Sequence, residues 1–439
     1  MTLKELILLA LILFFTLLTR LFRLDYPSQM YFDEVYHVPA AMMMSSGDFS
    51  RPFDPQQVAY DGQHIADWLH PPLAKYFQAG SMYLFGKNAF AWRLPAVVFA
   101  CLTIIVFYFL LRFVAQAFFF KHLSIAEKNR RSINLALVAT YFLSLSGLFL
   151  VQSRIAMNDV FCLFFLMLGI FAYFAYLDKK TYLFLFLTGL SLALSFSTKW
   201  TALWLLLLIF IRELTLLRSY RALPFIFFSL ILTPIFIYVL SYGAMFFAGH
   251  NLTDFFALQK TILSSQLSNP SFHLYSSDPL SWLLNWRPVW FFTSTSNLDN
   301  SFVANIYALE NPLLSLYLLV TFILLFLSLL KKDKLSLARK TVWLFFSFYL
   351  ASFLPWIFFS RPMFLHHYLP ALPFLIVLLS YFLLNLLEKI TDKEKRKALF
   401  FNLLFWPFFF FLLFYPQWTA LPVPEGFADL LYFAIPSWR

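Results

Sequence analysis

The sequence predicts an all-α polytopic membrane protein of about eleven transmembrane helices, N-terminus inside and C-terminus outside. Three observations predict it. First, 61% of the 439 residues are apolar and 13% charged, against about 45–50% and about 25% in soluble domains. Second, the apolar residues gather into runs of the roughly 17–25 residues that cross a bilayer as helix. These are 3–22, 92–120, 132–151, 160–177, 181–198, 200–217, 222–248, 311–330, 341–359, 367–387 and 398–415. Third, with the N-terminus inside, twenty Lys and Arg fall in inner segments and eleven in outer ones, the bias of cytoplasmic loops. Most of the formal charge of +11 is therefore an orientation signal, and nucleic acid is excluded as a partner.

The first window should remain as an anchor, because its apolar stretch is long and no small-x-small cleavage site follows. The stretch Tyr76–Phe90 contains Lys87 and two glycines, and it is placed in the interface. Counting it as a span would put the four basic residues of 121–131 on the wrong side. The windows 181–198 and 200–217 are joined by a tight turn at Lys199-Trp200. The inner connections are short and basic. Two outer loops are long, about 23–91 and about 249–310, and long loops in compact proteins are usually functional. With no repeat and no soluble domain, residues 1–439 read as a single integral membrane domain. Within it, 23–91 is the first extracytoplasmic, catalytic loop with interfacial helices, and 249–310 is the second. Cys101 and Cys162 both lie in apolar runs, so neither a disulfide framework nor a Cys-based metal site is expected. Asn251-Leu252-Thr253 reads as a glycosylation sequon.

The chemistry-bearing residues crowd the outer ends of the spans. They are Asp33 and Glu34, Asp67, His70 and Lys75, Arg93, Arg154 with Asp159, Lys199-Trp200, Arg361, and His366-His367. So many ionisable groups on one face of a membrane protein suggest a site. A carboxylate such as Asp33 or Glu34 can take a proton from a hydroxyl. Arg93, Arg154, Lys199 and Arg361 can neutralise a phosphate, Arg as a bidentate fork and Lys as a point charge. That combination at a bilayer surface suits transfer from a lipid-linked phosphate donor, with cations stabilising the departing phosphate. Structural roles compete at each position. Asp33-Glu34 could be a helix cap and a solvated acid, and Arg93 and Arg154 headgroup anchors. Lys199 could snorkel, Asp159 could cap a helix, and His70-Pro71-Pro72 could stiffen a helix start.

Taken in order, seven stretches resemble the protein O-mannosyltransferase (PMT) family. They are Phe-Asp-Glu-Val-Tyr-His (32–37), His-Pro-Pro-Leu-Ala-Lys (70–75), Trp-Arg-Leu-Pro-Ala (92–96), Gln-Ser-Arg-Ile-Ala-Met-Asn-Asp (152–159), Thr-Lys-Trp (198–200), Glu-Asn-Pro-Leu (310–313) and Met-Phe-Leu-His-His-Tyr-Leu-Pro-Ala-Leu-Pro-Phe (363–374). The resemblance implies a GT-C glycosyltransferase fold and inverting transfer of a sugar, mannose first, from a polyprenyl-phosphate donor to a hydroxyl. Asp33 matches the proposed general base, with Glu34 beside it. Arg93 and Lys199 match basic residues near the donor phosphate, and His70 and 363–374 match the donor side. Two departures imply a compact bacterial-type member: loop 249–310 is too short for the sugar-binding-like module of eukaryotic members, and the usual Leu-Asp-Ser reads Asn158-Asp159-Val160.

The expected activity is thus mannosyl transfer to Ser/Thr of exported protein at the outer face of the plasma membrane. Alternatives are a related enzyme modifying a lipid or glycan, and a flippase for lipid-linked sugars. Against the flippase, polar groups crowd one face rather than the midplane and no repeat is evident. Expected binding residues for the donor phosphate or sugar are His70, Lys75, Arg93, Arg154, Lys199, Trp200, Arg361, His366 and His367, with Asp67 and Asp159 in support. No cofactor is expected and transfer should be metal-independent, although two acids could hold one ion. Expected partners are the lipid-linked sugar, the hydroxyl acceptor and membrane lipids, with a homodimer as a further assembly to test.

Overall fold

A helical segment stands on each of the eleven apolar windows in the computed structural model, which describes residues 1–54, 68–217, 219–267, 273–295, 301–328 and 336–439. Five helical segments are long and apolar enough to cross a membrane: Ala89–Phe119, Asp159–Lys179, Tyr220–Ser241, Leu337–Phe358 and Lys393–Thr419. Tyr182–Phe196, Pro312–Ser328 and Leu372–Glu388 are shorter and equally apolar, while Leu3–Leu21, Ile125–Ser144 and Leu203–Thr215 occupy the other three windows. Helix boundaries follow local chemistry. Thr2 and Glu5 form a capping box at the first helix, Asn88 caps the helix from Ala89, and Asp392 caps that from Lys393, each satisfying backbone N–H groups that have no helical partner.

Leu73–Phe85, in the stretch placed at the interface, has 13 residues, about 20 Å of helix, short of the hydrocarbon thickness. One window is displaced: 132–151 is met by Ile125–Ser144, and a separate short helix, Gly147–Gln152, follows a break at Leu145-Ser146. Ser146 interrupts the run because its hydroxyl turns to the Glu310 carboxylate (2.6 Å) and accepts from Phe149 N.

Packing is aromatic. Phe77, Phe99, Phe161, Phe164 and Phe165 meet with ring centroids 4.7 to 5.8 Å apart. Such contacts interlock helices where lipid tails are as apolar as the side chains. At one crossing only a hydrogen fits. A Cβ on Gly189 would overlap the Ser229 backbone carbonyl, whereas Gly80 has nothing within 4 Å of its Cβ position. Gly189→Ala should therefore force helix Tyr182–Phe196 off Tyr220–Ser241, at an overpacking cost of about 1–3 kcal/mol or more. Thermal unfolding of the detergent-solubilised protein checks it: Gly189→Ala should lower the midpoint by several degrees while Gly80→Ala leaves it unchanged.

The expectation of helix alone needs one addition. Loop 249–310 carries a β-hairpin, Val289–Thr295 with Phe302–Ala308, and Val423–Pro424 adds a third antiparallel strand. The register slips between Trp290 and Phe292. Bulges of this kind re-aim a side chain, and the residue re-aimed is Phe291. Its ring stacks on Phe32 at 3.9 Å and 16°.

Candidate functional site

Two buried arginines build the floor. Arg154 donates to the carbonyls of Thr19, Arg20, Phe22 and Arg23 at 2.7 to 3.2 Å. It closes the C-terminal end of the first helix, whose last carbonyls lack helical partners and whose dipole favours a cation. Arg93 spends all five N–H groups. Nε and Nη2 form a fork on the Glu34 carboxylate at 2.8 Å each, and the remaining donors reach the carbonyls of Leu24, Pro27 and Gln29. Glu34 and Arg93 are both 0% exposed, and Glu34 also accepts from the backbone N–H of Ala156 (3.0 Å) and Tyr31 (3.4 Å). The two guanidinium groups thus pin segment 19–29 and the start of the next helix.

That segment delivers Asp33. Phe32 lies in the left-handed region at φ 49, a conformation costly for an aromatic residue, and its stacking on Phe291 helps hold it there. Asp33 follows at the N-terminus of helix Glu34–Ser45. It is half-buried and lines a polar cavity of about 320 Å³ together with His37, His70, Asp159, Lys199, Arg361, His366 and His367.

Within this cavity Lys199 Nζ donates to Asp159 Oδ1 at 2.8 Å, both nearly buried. The His366 and His367 rings stack at 4.4 Å, and Arg361 Nη2 lies 3.4 Å from His367 Nε2. Burial draws the Arg361 pKa down and the charge of Asp33, which lines the same cavity, opposes it. Burial pushes His366 down to about 3, with Asp159 opposing and Lys199 and Arg361 adding to the depression. His366 is therefore a neutral imidazole. A second, mostly apolar cavity of about 230 Å³ adjoins the first. Trp200, Trp204, Leu263 and Trp356 line it, and it shares the walls His70, Lys199 and Arg361.

Several expected site residues stand elsewhere. Glu34 does not face the cavity, because Arg93 occupies its carboxylate. Arg93 and Arg154 were expected at a phosphate, and their donors are used by Glu34 and backbone carbonyls. Lys75 is 1% exposed and its Nζ donates to the His70 carbonyl at 3.4 Å, bracing the chain behind His70 rather than lining the cavity. Trp200 borders only the apolar cavity, where its Nε1 donates to Tyr238 Oη at 2.9 Å. Asp67 lies outside the described residues. Asp33, His70, Asp159, Lys199, Arg361, His366 and His367 do converge. Sequence reasoning missed Tyr36, His37, Asn158, Gln266 and His273, which also line the cavity. His37 stood one helical turn after Asp33 and Asn158 next to Asp159, so position relative to residues already singled out was the available signal.

The fold is that of GT-C membrane proteins. The yeast (S. cerevisiae) protein O-mannosyltransferase Pmt1-Pmt2 complex, solved with bound sugar donor, superposes with a TM-score of 0.80 at 15% identity, covering 98% of this chain and 92% of the other. ArnT of Cupriavidus metallidurans bound to undecaprenyl phosphate gives 0.52 at 14% identity over 87% of this chain and 59% of that one. The archaeal oligosaccharyltransferase AglB of Archaeoglobus fulgidus gives 0.56 at 11% over 98% and 58%. The family described as dolichyl-phosphate-mannose-protein mannosyltransferase matches residues 10–252, and the C-terminal four-span region of protein O-mannosyltransferase matches 251–431. The chain belongs to the protein O-mannosyltransferase family. A polyprenol-phosphate-mannose–protein mannosyltransferase of Corynebacterium glutamicum is 24% identical over 329 aligned residues. This chain spans about 60% of that relative's length.

Proposed function

We propose that the protein transfers mannose from a polyprenyl-phosphate donor to a Ser/Thr hydroxyl of exported protein, at the outer face of the plasma membrane. The observation that carries this reading is the pair of adjoining cavities. One is polar and holds Asp33, the other is aromatic and apolar, and the cations Lys199 and Arg361 stand in the wall between them. A lipid-linked sugar phosphate has the same three parts in the same order. The isoprenoid lies along Trp200, Trp204 and Trp356, the phosphate meets Lys199 and Arg361, and the sugar enters the polar cavity. Family membership and the chemistry of the relatives support the same reading.

In this reading Asp33 accepts the acceptor's hydroxyl proton as its oxygen attacks the anomeric carbon from the face opposite the phosphate. The bond from that carbon to the phosphate oxygen breaks and the electron pair leaves on the phosphate, where Arg361 and Lys199 offset the growing charge. His70 and His366 add polar contacts. The outer loops 23–91 and 249–310 both contribute, Asp33 from the first and the Phe291 prop from the second. The protein acts as a single chain or a homodimer in lipid, with its N-terminus inside.

We propose no metal in this step. The Glu34 oxygens are held by Arg93, so the Asp33-Glu34 pair makes no chelate, and the two cations already serve the phosphate. The protein in nanodiscs, given labelled polyprenyl-phosphate-mannose and a Ser/Thr-rich peptide, should yield mannosyl-peptide at the same rate with and without EDTA. No labelled peptide would overturn the acceptor assignment, and transfer abolished by EDTA and restored by Mg²⁺ or Mn²⁺ would overturn the metal-independent step.

A further inference from the structure

A third cavity, of about 680 Å³, lies between helices Leu3–Leu21, Ile125–Ser144 and Lys393–Thr419. It shares no lining residue with the two cavities of the site. Its walls are apolar over most of their length. Phe15 meets Phe408 at 5.9 Å and narrows one end, and Tyr141 Oη donates to the Leu404 carbonyl at 3.2 Å between two of the walls.

The other end of the groove is polar. Lys4 and Asn134 line it there, and among the described residues neither side chain has an ion-pair or hydrogen-bond partner. Arg396 and Lys397 stand one helical turn before Phe400 and Phe401 of the wall. They close the segment 389–397, which holds five Lys and Arg against two acids. Basic clusters of this kind beside a span attract anionic lipid headgroups.

We propose that this groove holds an acyl chain of an anionic phospholipid, with the headgroup phosphate at Lys4. From Lys4 to Phe15 the groove covers about 16 Å of helix, close to half of the roughly 30 Å hydrocarbon thickness. That is the depth of one leaflet, with the charge at the membrane surface and the apolar walls beneath it. A second transmembrane helix fits poorly. Helix contacts in lipid favour small residues that let backbones approach, whereas these walls carry Leu, Ile, Val and Phe, with Ser144 the one small side chain. A flexible chain can follow such a surface. The lipid would also fill the gap between the first and last long helices, whose outer ends are joined where Tyr415 donates to the Thr19 carbonyl. Binding should therefore stabilise the fold.

The test titrates delipidated full-length protein in detergent with phosphatidylglycerol and with phosphatidylcholine of the same chains, read by native mass spectrometry and thermal unfolding. Wild-type protein should retain phosphatidylglycerol more tightly and unfold at a higher temperature with it. Lys4→Glu should weaken phosphatidylglycerol about fivefold or more and leave phosphatidylcholine unchanged. Leu11→Trp, which puts an indole into the groove, should weaken both lipids. Lys340→Glu, on helix Leu337–Phe353 outside the groove walls, should change neither. Lipid-free unfolding midpoints show that each variant folds. Equal retention of the two lipids by wild type, or phosphatidylglycerol binding untouched by Lys4→Glu or by Leu11→Trp, would overturn the proposal. An equal loss in Lys340→Glu would also overturn it, because the attraction would then belong to the basic surface as a whole. Sugar transfer is not read in any arm, so the proposed function stands or falls separately.

Discussion

Asp33→Asn should reduce mannosyl transfer by about 10²–10⁴-fold, the range over which a positioned general base contributes, with the protein still folded. The substitution keeps the size and the hydrogen-bonding geometry of the side chain and removes only its ability to take a proton. Asp33 is half-buried at the edge of an open cavity, so folding should depend little on its charge. Donor binding should change little, or tighten slightly, because Arg361 loses a competing anion. The measurement is labelled transfer in membranes alongside donor affinity. Transfer at the wild-type rate would remove Asp33 from the mechanism and point to Asp159, the other carboxylate of the cavity.

Arg93→Ala should produce the opposite pattern, with stability lost and the chemistry of any folded fraction retained. Removing the guanidinium leaves the Glu34 carboxylate buried beside the freed carbonyls of Leu24, Pro27 and Gln29. Breaking one partner of a buried pair costs about 3–5 kcal/mol. Arg93→Lys should recover little, since an ammonium cannot present the planar fork that reaches five acceptors. Glu34→Gln should be milder, because an amide still accepts from Arg93. Thermal unfolding in detergent and donor KM on the surviving protein separate the two roles. A folded Arg93→Ala protein with a raised donor KM and an unchanged midpoint would return Arg93 to the phosphate.

These two residues show where sequence reading succeeds and where it stops. The place of Asp33 on the cavity was legible because the carboxylate stands within an ordered series of motifs that resemble one family. That of Arg93 was not. Arg93 and Arg361 are the same residue type, and what separates them is whether carbonyls or open space stand before the guanidinium. The partner that settles it, Glu34, lies 59 positions away. Helices were legible because lipid forces long apolar runs. Their breaks were harder to find, since Ser146 stops one helix through a carboxylate 164 positions away. The aromatic and β-branched residues at 289–295 and 302–308 are a readable strand signal.

The third strand has a consequence for the order in which the molecule can be finished. Phe32, behind Asp33, rests on Phe291; the hairpin bearing Phe291 is completed by Val423–Pro424, and Trp438 Nε1 donates to the Asn285 carbonyl at its base. Tyr415 likewise donates to the Thr19 carbonyl, beside the Arg154 clamp. The prop for the loop that carries Asp33 is thus completed by residues far along the chain, at 423–424 and 438. A chain cut before Val423 holds Asp33 without the strand that completes this support, so the proposed base is placed only once two segments distant in sequence have met.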